Sequence, residues 1–270
     1  MTGTESHDRP SAAVISLLFC IAILGGLPRL ADLGAPLLEG AAGKQTHAAM
    51  TARNYYRGRA SFALPIIDDI GTPGYFVKEF PLFPAGVAAA YQVIGRVDER
   101  CGRLLAILSW IIALPILLRL LWAGPSKTRV SGIYICSVAV WFMAAPMGVA
   151  YSRAFMNDAS MVTLSLGCLS ALLAWIREPS GRRAAWIMIS LAAAVLLKLH
   201  AAFWLLPVAA MCGLEAINRP DRDSIDRRPI LQLLAAVMGG LMVAATWYGH
   251  AARVHTRYPI PGATVAQGWV

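Results

Sequence analysis

The 270 residues are 57% apolar and only 14% charged, and their mean hydropathy is +0.58. A soluble domain carries about 45–50% apolar and about 25% charged residues, so this composition excludes a single water-soluble core and calls for a lipid solvent. The net charge of +9 would suit nucleic acid in a soluble protein, but the basic residues fall largely between apolar blocks. There they orient helices and meet anionic headgroups, which speaks against nucleic-acid binding.

Met1 to Pro10 is short, polar and expected to be cytoplasmic. The first span runs from about Ser11 to Leu27. Pro28 and Arg29 follow it with no small-x-small cleavage site, so it reads as an uncleaved signal anchor. A long outer loop, 28–102, comes next. Within it, Lys44 to Gly58 predicts an amphipathic helix lying in the interface plane. Lys44, His47, Thr51 and Asn54 share one face, and Ala48, Ala49, Ala52, Tyr55 and Tyr56 the other. Pro65, Gly71, Pro73 and Gly74 make Ser61 to Tyr75 irregular. Phe83 to Ile94 is apolar but too short to span, and reads as a second interfacial or re-entrant helix.

Span two is expected at Arg103 to Trp122 and span three at Gly132 to Val149. A polar turn, Tyr151 to Asp158, leads to span four, Ala159 to Ile176. Span five is Ala184 to Leu197, and a turn at Lys198 to His200 separates it from span six, Ala201 to Ile217. Span seven is Ile230 to Tyr248, and 249–270 is a polar tail. The fold class is therefore all-α and polytopic, with about seven membrane helices in 11–248 and two interfacial helices. Three short linkers are basic, around Lys127 and Arg129, around Arg177, Arg182 and Arg183, and around Arg219, Arg222, Arg227 and Arg228. The positive-inside rule makes their side cytoplasmic. The long loop, the two polar turns and the tail then share the outer face.

Ionisable groups gathered on one membrane face are the candidates for chemistry. Glu39, Asp68, Asp69, Glu79 and Asp158 are the outer carboxylates, and any of them could take a proton from an acceptor hydroxyl. Lys44, Arg53, Lys78 and Arg103 could hold a phosphate leaving group. Asp158 opens a span five residues after Arg153, where an acid is either paired at a site or simply favoured by the helix dipole. Lys198 either snorkels outward or meets a lipid phosphate. His47 reads as a surface histidine. The five cysteines show no CxxC or Cys/His metal spacing, and no nucleotide-binding or nucleophile-elbow motif occurs. No cofactor is indicated, and dependence on a divalent metal stays open.

The residues from Lys44-Gln-Thr-His47 to Ala-Arg53-Asn-Tyr-Tyr56, then Leu64-Pro65, Gly74-Tyr75 and Glu79-Phe-Pro-Leu82, resemble the first outer loop of the GT-C glycosyltransferases of the family-39, protein-mannosyltransferase-like and aminoarabinose-transferase-like type. Gly95, Arg103-Leu-Leu, Ser152-Arg153-Ala-Phe-Met156-Asn-Asp158 and Leu197-Lys198 before Leu206-Pro207 continue the pattern. The resemblance implies inverting sugar transfer from a polyprenyl-phosphate sugar to a lipid, glycan or protein acceptor, at the outer face of a bacterial inner membrane. It makes an outer-loop acid the base and has basic residues hold the lipid phosphate: Lys44, Arg53, Lys78, Arg103, Arg153 and Lys198 here. Many members carry Asp-Glu where this chain has Lys44-Gln45, so Glu79 or Glu39 would serve as base, with Asp158 as a second acid. Members are also considerably longer, so the chain reads as an N-terminal portion. The rival readings are an inactive truncated glycosyltransferase and a non-catalytic membrane component, such as a transporter half or an assembly partner. Such a path would be lined by intramembrane charges, and these spans carry few.

Overall fold

The computed structural model describes residues 11–38, 41–122, 131–217 and 228–260. Among them are ten helices and no strand beyond two isolated bridges, Ser61 with Leu64 and Ile66 with Tyr75. Four helices are long and apolar enough to cross a bilayer: α1 (Ala12–Leu30), α4 (Arg100–Trp122), α7 (Asp158–Arg177) and α10 (Arg228–Arg257). A fifth crossing is a broken one, α5 (Gly132–Ala144) with α6 (Pro146–Arg153), bent by 53°. The remaining apolar blocks are α8 (Gly181–Leu197) and α9 (Ala201–Ile217), each of 17 residues, short of the ~20 that a straight span needs. The chain is an all-α polytopic membrane protein. Each expected span is helical, although they differ in length.

Three boundaries depart from the sequence reading. Span three breaks at Ala145–Pro146, because Pro146 has no N–H for the Phe142 carbonyl. The polar turn at 151 is therefore the end of α6 rather than a loop. And α10 runs nine residues beyond Tyr248. Hydropathy falls there, but Trp247, Ala251, Val254 and Tyr258 still recur at helical spacing, and the first three are buried. The two short helices expected at the interface are α2 (Ala42–Tyr56) and α3 (Leu82–Ile94). The polar face of α2 is not left to water: Thr51 and Asn54 are buried, and Asn54 Nδ2 donates to the Ile66 carbonyl at 3.0 Å and to Asp68 Oδ1 at 3.2 Å. The loop 57–81 folds back over that face.

Two apolar cores result. One joins α1 to α5 and takes in Phe155 and Ala159; the other joins α7 to α10 and takes in Val77. Helix α7 belongs to both, packing Ala159 and Leu166 toward α4 and Cys168, Leu172 and Trp175 toward α8. Small hydroxyl residues let α4 and α7 approach. Ser109 Oγ and Ser160 Oγ lie 2.9 Å apart, and Thr163 Oγ1 donates to the Ser109 carbonyl at 2.6 Å.

Two arginines near the end of α1 and the start of α4 secure the polar backbone there. Arg29 is fully buried; its Nε donates to Ser152 Oγ at 2.6 Å and its Nη1 to the Met143 carbonyl at 2.8 Å and to that of Gly25. It thus serves a carbonyl in the last turn of α5, beside the proline break. A Cβ on Gly25 would stand 2.7 Å from Met143 Cβ. Gly25→Val should therefore force α1 off α5 and cost about 1–3 kcal/mol, read as a lower melting temperature in detergent.

Candidate functional site

The first loop, the linker 154–157, the turn 198–200 and the end of α10 meet at one end of the bundle. The loop is fixed through its backbone. Phe80 N–H donates to the Leu196 carbonyl at 2.9 Å. Trp247 Nε1 donates to the Lys78 carbonyl at 2.9 Å, while His255 and His250 bring Nε2 to 2.7 Å from the carbonyls of Val77 and Ala63. The linker is fixed too, by Asn157 Nδ2 donating to the Leu197 carbonyl at 2.8 Å. The turn at 198 exists because α8 stops at Leu197 and Lys198 goes extended, at φ −152° and ψ 114°.

Between these segments lies a cavity of about 420 Å³. Lys44, His47 and Thr51 of α2 line one side; Lys78, Glu79 and Phe80 of the loop line another. Met156 and Asn157, Lys198 to His200, and Tyr248 complete it. Lys198 Nζ stands 3.6 Å from Glu79 Oε1 and 3.5 Å from Asp158 Oδ2. One ammonium, its side chain only 9% exposed, is thus shared by two carboxylates from different elements. Glu79 is 40% exposed and lines the cavity; Asp158 is 21% exposed and sits behind the ammonium, at the N-terminus of α7. Lys78 Nζ lies 4.8 Å from the Phe76 ring centroid. Burial lowers its pKa below the ordinary lysine value, Glu79 opposes that shift, and Lys44 adds to it.

The remaining candidates lie elsewhere. Arg53 pairs with Asp68 on the exposed rim, outside the cavity lining. Burial acts to raise the Asp68 pKa, but hydrogen bonds from Asn54 and Arg53 and the charges of Arg53 and Arg59 outweigh it and hold the carboxyl below its usual range. Arg103 is buried; Nη1 donates to the Asp32 carbonyl at 2.8 Å and Nη2 to those of Ala35 at 3.0 Å and Pro36 at 3.3 Å. Its guanidinium clamps the turn after α1 onto α4 rather than facing the cavity. Arg153 ends α6 and does not line the cavity. Glu39 lies outside the described residues. His47 is more than a surface residue: it lines the cavity, its Nε2 is 3.1 Å from Asp69 Oδ2, and its ring packs edge-on against Phe76 at 4.7 Å. Asn157, His200 and Tyr248 also line the cavity. The sequence places the first two in polar turns and Tyr248 at the end of a span, and gives none of the three a role.

No protein-family model and no curated protein matches the chain. Among solved structures, the fold is similar to the S. cerevisiae protein O-mannosyltransferase Pmt1-Pmt2 complex bound to the sugar donor, with a TM-score of 0.64 at 15% identity. The match covers 93% of this chain and 35% of that one. The chain therefore shares the membrane fold of part of that protein and spans about a third of its length.

Proposed function

We propose that this chain forms a GT-C-type glycosyltransferase core that moves a sugar from a polyprenyl-phosphate donor to an acceptor at the extracytoplasmic face. The observation that carries the reading is one cavity at one end of the bundle, lined by a carboxylate and three lysines. In the step, the Glu79 carboxylate takes the proton of an acceptor hydroxyl. The hydroxyl oxygen bonds to the anomeric carbon, the bond from that carbon to the phosphate oxygen breaks, and its electron pair leaves with the lipid phosphate. Attack from the side opposite the phosphate inverts the configuration. Lys44 and Lys78 receive the growing phosphate charge. Lys198 balances Glu79 and Asp158, which keeps an anionic donor from being repelled by two unneutralised acids. Arg177, Arg182 and Arg183, which join α7 to α8 at the end away from Asp158 and Lys198, favour the extracytoplasmic placement.

The test is release of polyprenyl phosphate from a polyprenyl-monophosphate hexose or pentose by purified protein in lipid. No release above buffer from any such donor ends the enzymatic reading. Two further outcomes are expected. Donor affinity should fall as pH rises through the Lys78 pKa, since only the ammonium attracts phosphate. Because that pKa is lowered, the fall begins at a lower pH than for an unperturbed lysine, and Lys78→Arg should abolish it; titration of donor binding reads both. Arg53→Ala should change turnover by at most about fivefold, because exposed ion pairs contribute about 0–1 kcal/mol.

A further inference from the structure

We propose that Gln45 is a positioning residue: its side-chain oxygen pins the linker that carries Asp158, and so holds the Lys198 node in register with the first loop. Gln45 is 2% exposed, and its Oε1 accepts the Phe155 N–H at 2.9 Å across 110 residues of chain. The linker 154–157 has no helical ladder of its own, so an N–H buried within it must find a partner or lose a hydrogen bond. Gln45 supplies that partner from α2. The Phe155 side chain is fixed as closely. It is fully buried and meets the Phe83 ring edge-on at 5.8 Å. It also lies on Gly102 of α4, where a Cβ would stand 2.3 Å from its Cε2. Backbone and ring of one residue are thus held by α2, α3 and α4 together. Three residues on, Asp158 faces Lys198, and between them Met156 and Asn157 form cavity wall. A helix that contributes Lys44 and His47 to one wall therefore sets the position of the opposite wall through Gln45. At this position an acceptor is required, and an acid is not.

The proposal rests on the transferase reading for its kinetic consequence, and its test has a readout that does not. Amine acylation followed by peptide mass spectrometry compares labelling of Lys198 with that of Lys78 in one sample. In the wild type Lys198 should label slowly, held between two carboxylates. In Gln45→Met, which keeps the length and removes the acceptor, the Lys198 to Lys78 ratio should rise several-fold. Gly102→Ala, which suits the helix itself but displaces the Phe155 ring, should do the same. Gln45→Glu, which restores an acceptor oxygen, should return the ratio to the wild-type value. With a polyprenyl-phosphate sugar as donor, Gln45→Met should lower kcat at least tenfold with donor KM unchanged, and Gln45→Glu should recover it. A wild-type labelling ratio in Gln45→Met overturns the proposal, and so does a ratio that stays raised in Gln45→Glu. If Gln45→Met yields no folded protein, Gly102→Ala decides alone: a raised ratio supports the pin and an unchanged one overturns it. Absence of turnover in the wild type with the labelling pattern intact refutes the transferase reading and leaves the pin standing.

Discussion

Glu79→Gln is expected to reduce kcat by about 10²- to 10⁴-fold, the range for removing a positioned general base, while donor affinity changes little. The amide keeps the shape and the contact with the cavity, and loses only the ability to accept a proton. Glu79 is well exposed and its loop is tied down through backbone groups of Val77, Lys78 and Phe80, so the melting temperature should hold. Asp158→Asn should fall between wild type and Glu79→Gln, because Asp158 meets the cavity only through Lys198. Single-turnover release of lipid phosphate at saturating donor separates the two. Equal losses would mean that Asp158 touches the reacting atoms directly, and an active Glu79→Gln would move the base to another residue.

Lys198→Met should be the change of charge most damaging to stability. It leaves two carboxylates facing each other with no cation between them. Removing one partner of a fully buried ion pair costs about 3–5 kcal/mol. Both acids are partly exposed here, so about 1–3 kcal/mol is expected, as a fall in melting temperature, with kcat down more than tenfold. The mechanism is separable by a double-mutant cycle. In an Asp158→Asn background the same lysine substitution should cost at least 1 kcal/mol less, since one of the two repelling charges is gone. An additive cycle would show that Lys198 is held by its aliphatic stem alone. Lys198→Arg should recover most of the stability.

The parts legible in the sequence are those with a local signal. Apolar runs marked the helices, of which four or five rather than about seven are long and apolar enough to cross, and Pro65, Gly71, Pro73 and Gly74 marked the irregular loop. Lys44, Lys78, Glu79 and Lys198 stood out as charges beside greasy blocks, and all four line the cavity. What was not legible depends on pairing across distance. Arg103 carries the same charge as Lys78, yet its donors are taken by three backbone carbonyls of the turn after α1. Nothing in its own neighbourhood of sequence distinguishes the two cations. Likewise Gln45 read as a departure from an acidic pair, and its partner lies 110 residues away. The end of α10 was lost for a different reason: a hydropathy window averages both faces, and here one face stays buried while the other turns polar.

Helix α10 ties the first loop through the carbonyl oxygens at positions 63, 77 and 78, while Trp247 packs on the Phe62 and Phe80 rings and Val77 is buried in the core that α10 shares. At positions 63 and 78, where the side chains stay outside that core, the grip is indifferent to what residue stands there. Lys78 can be exchanged for another size or charge and the strut still finds its acceptor. A scaffold built in this way lets substrate preference drift by point changes along the rim, with no need for compensating changes in the helix that supports it.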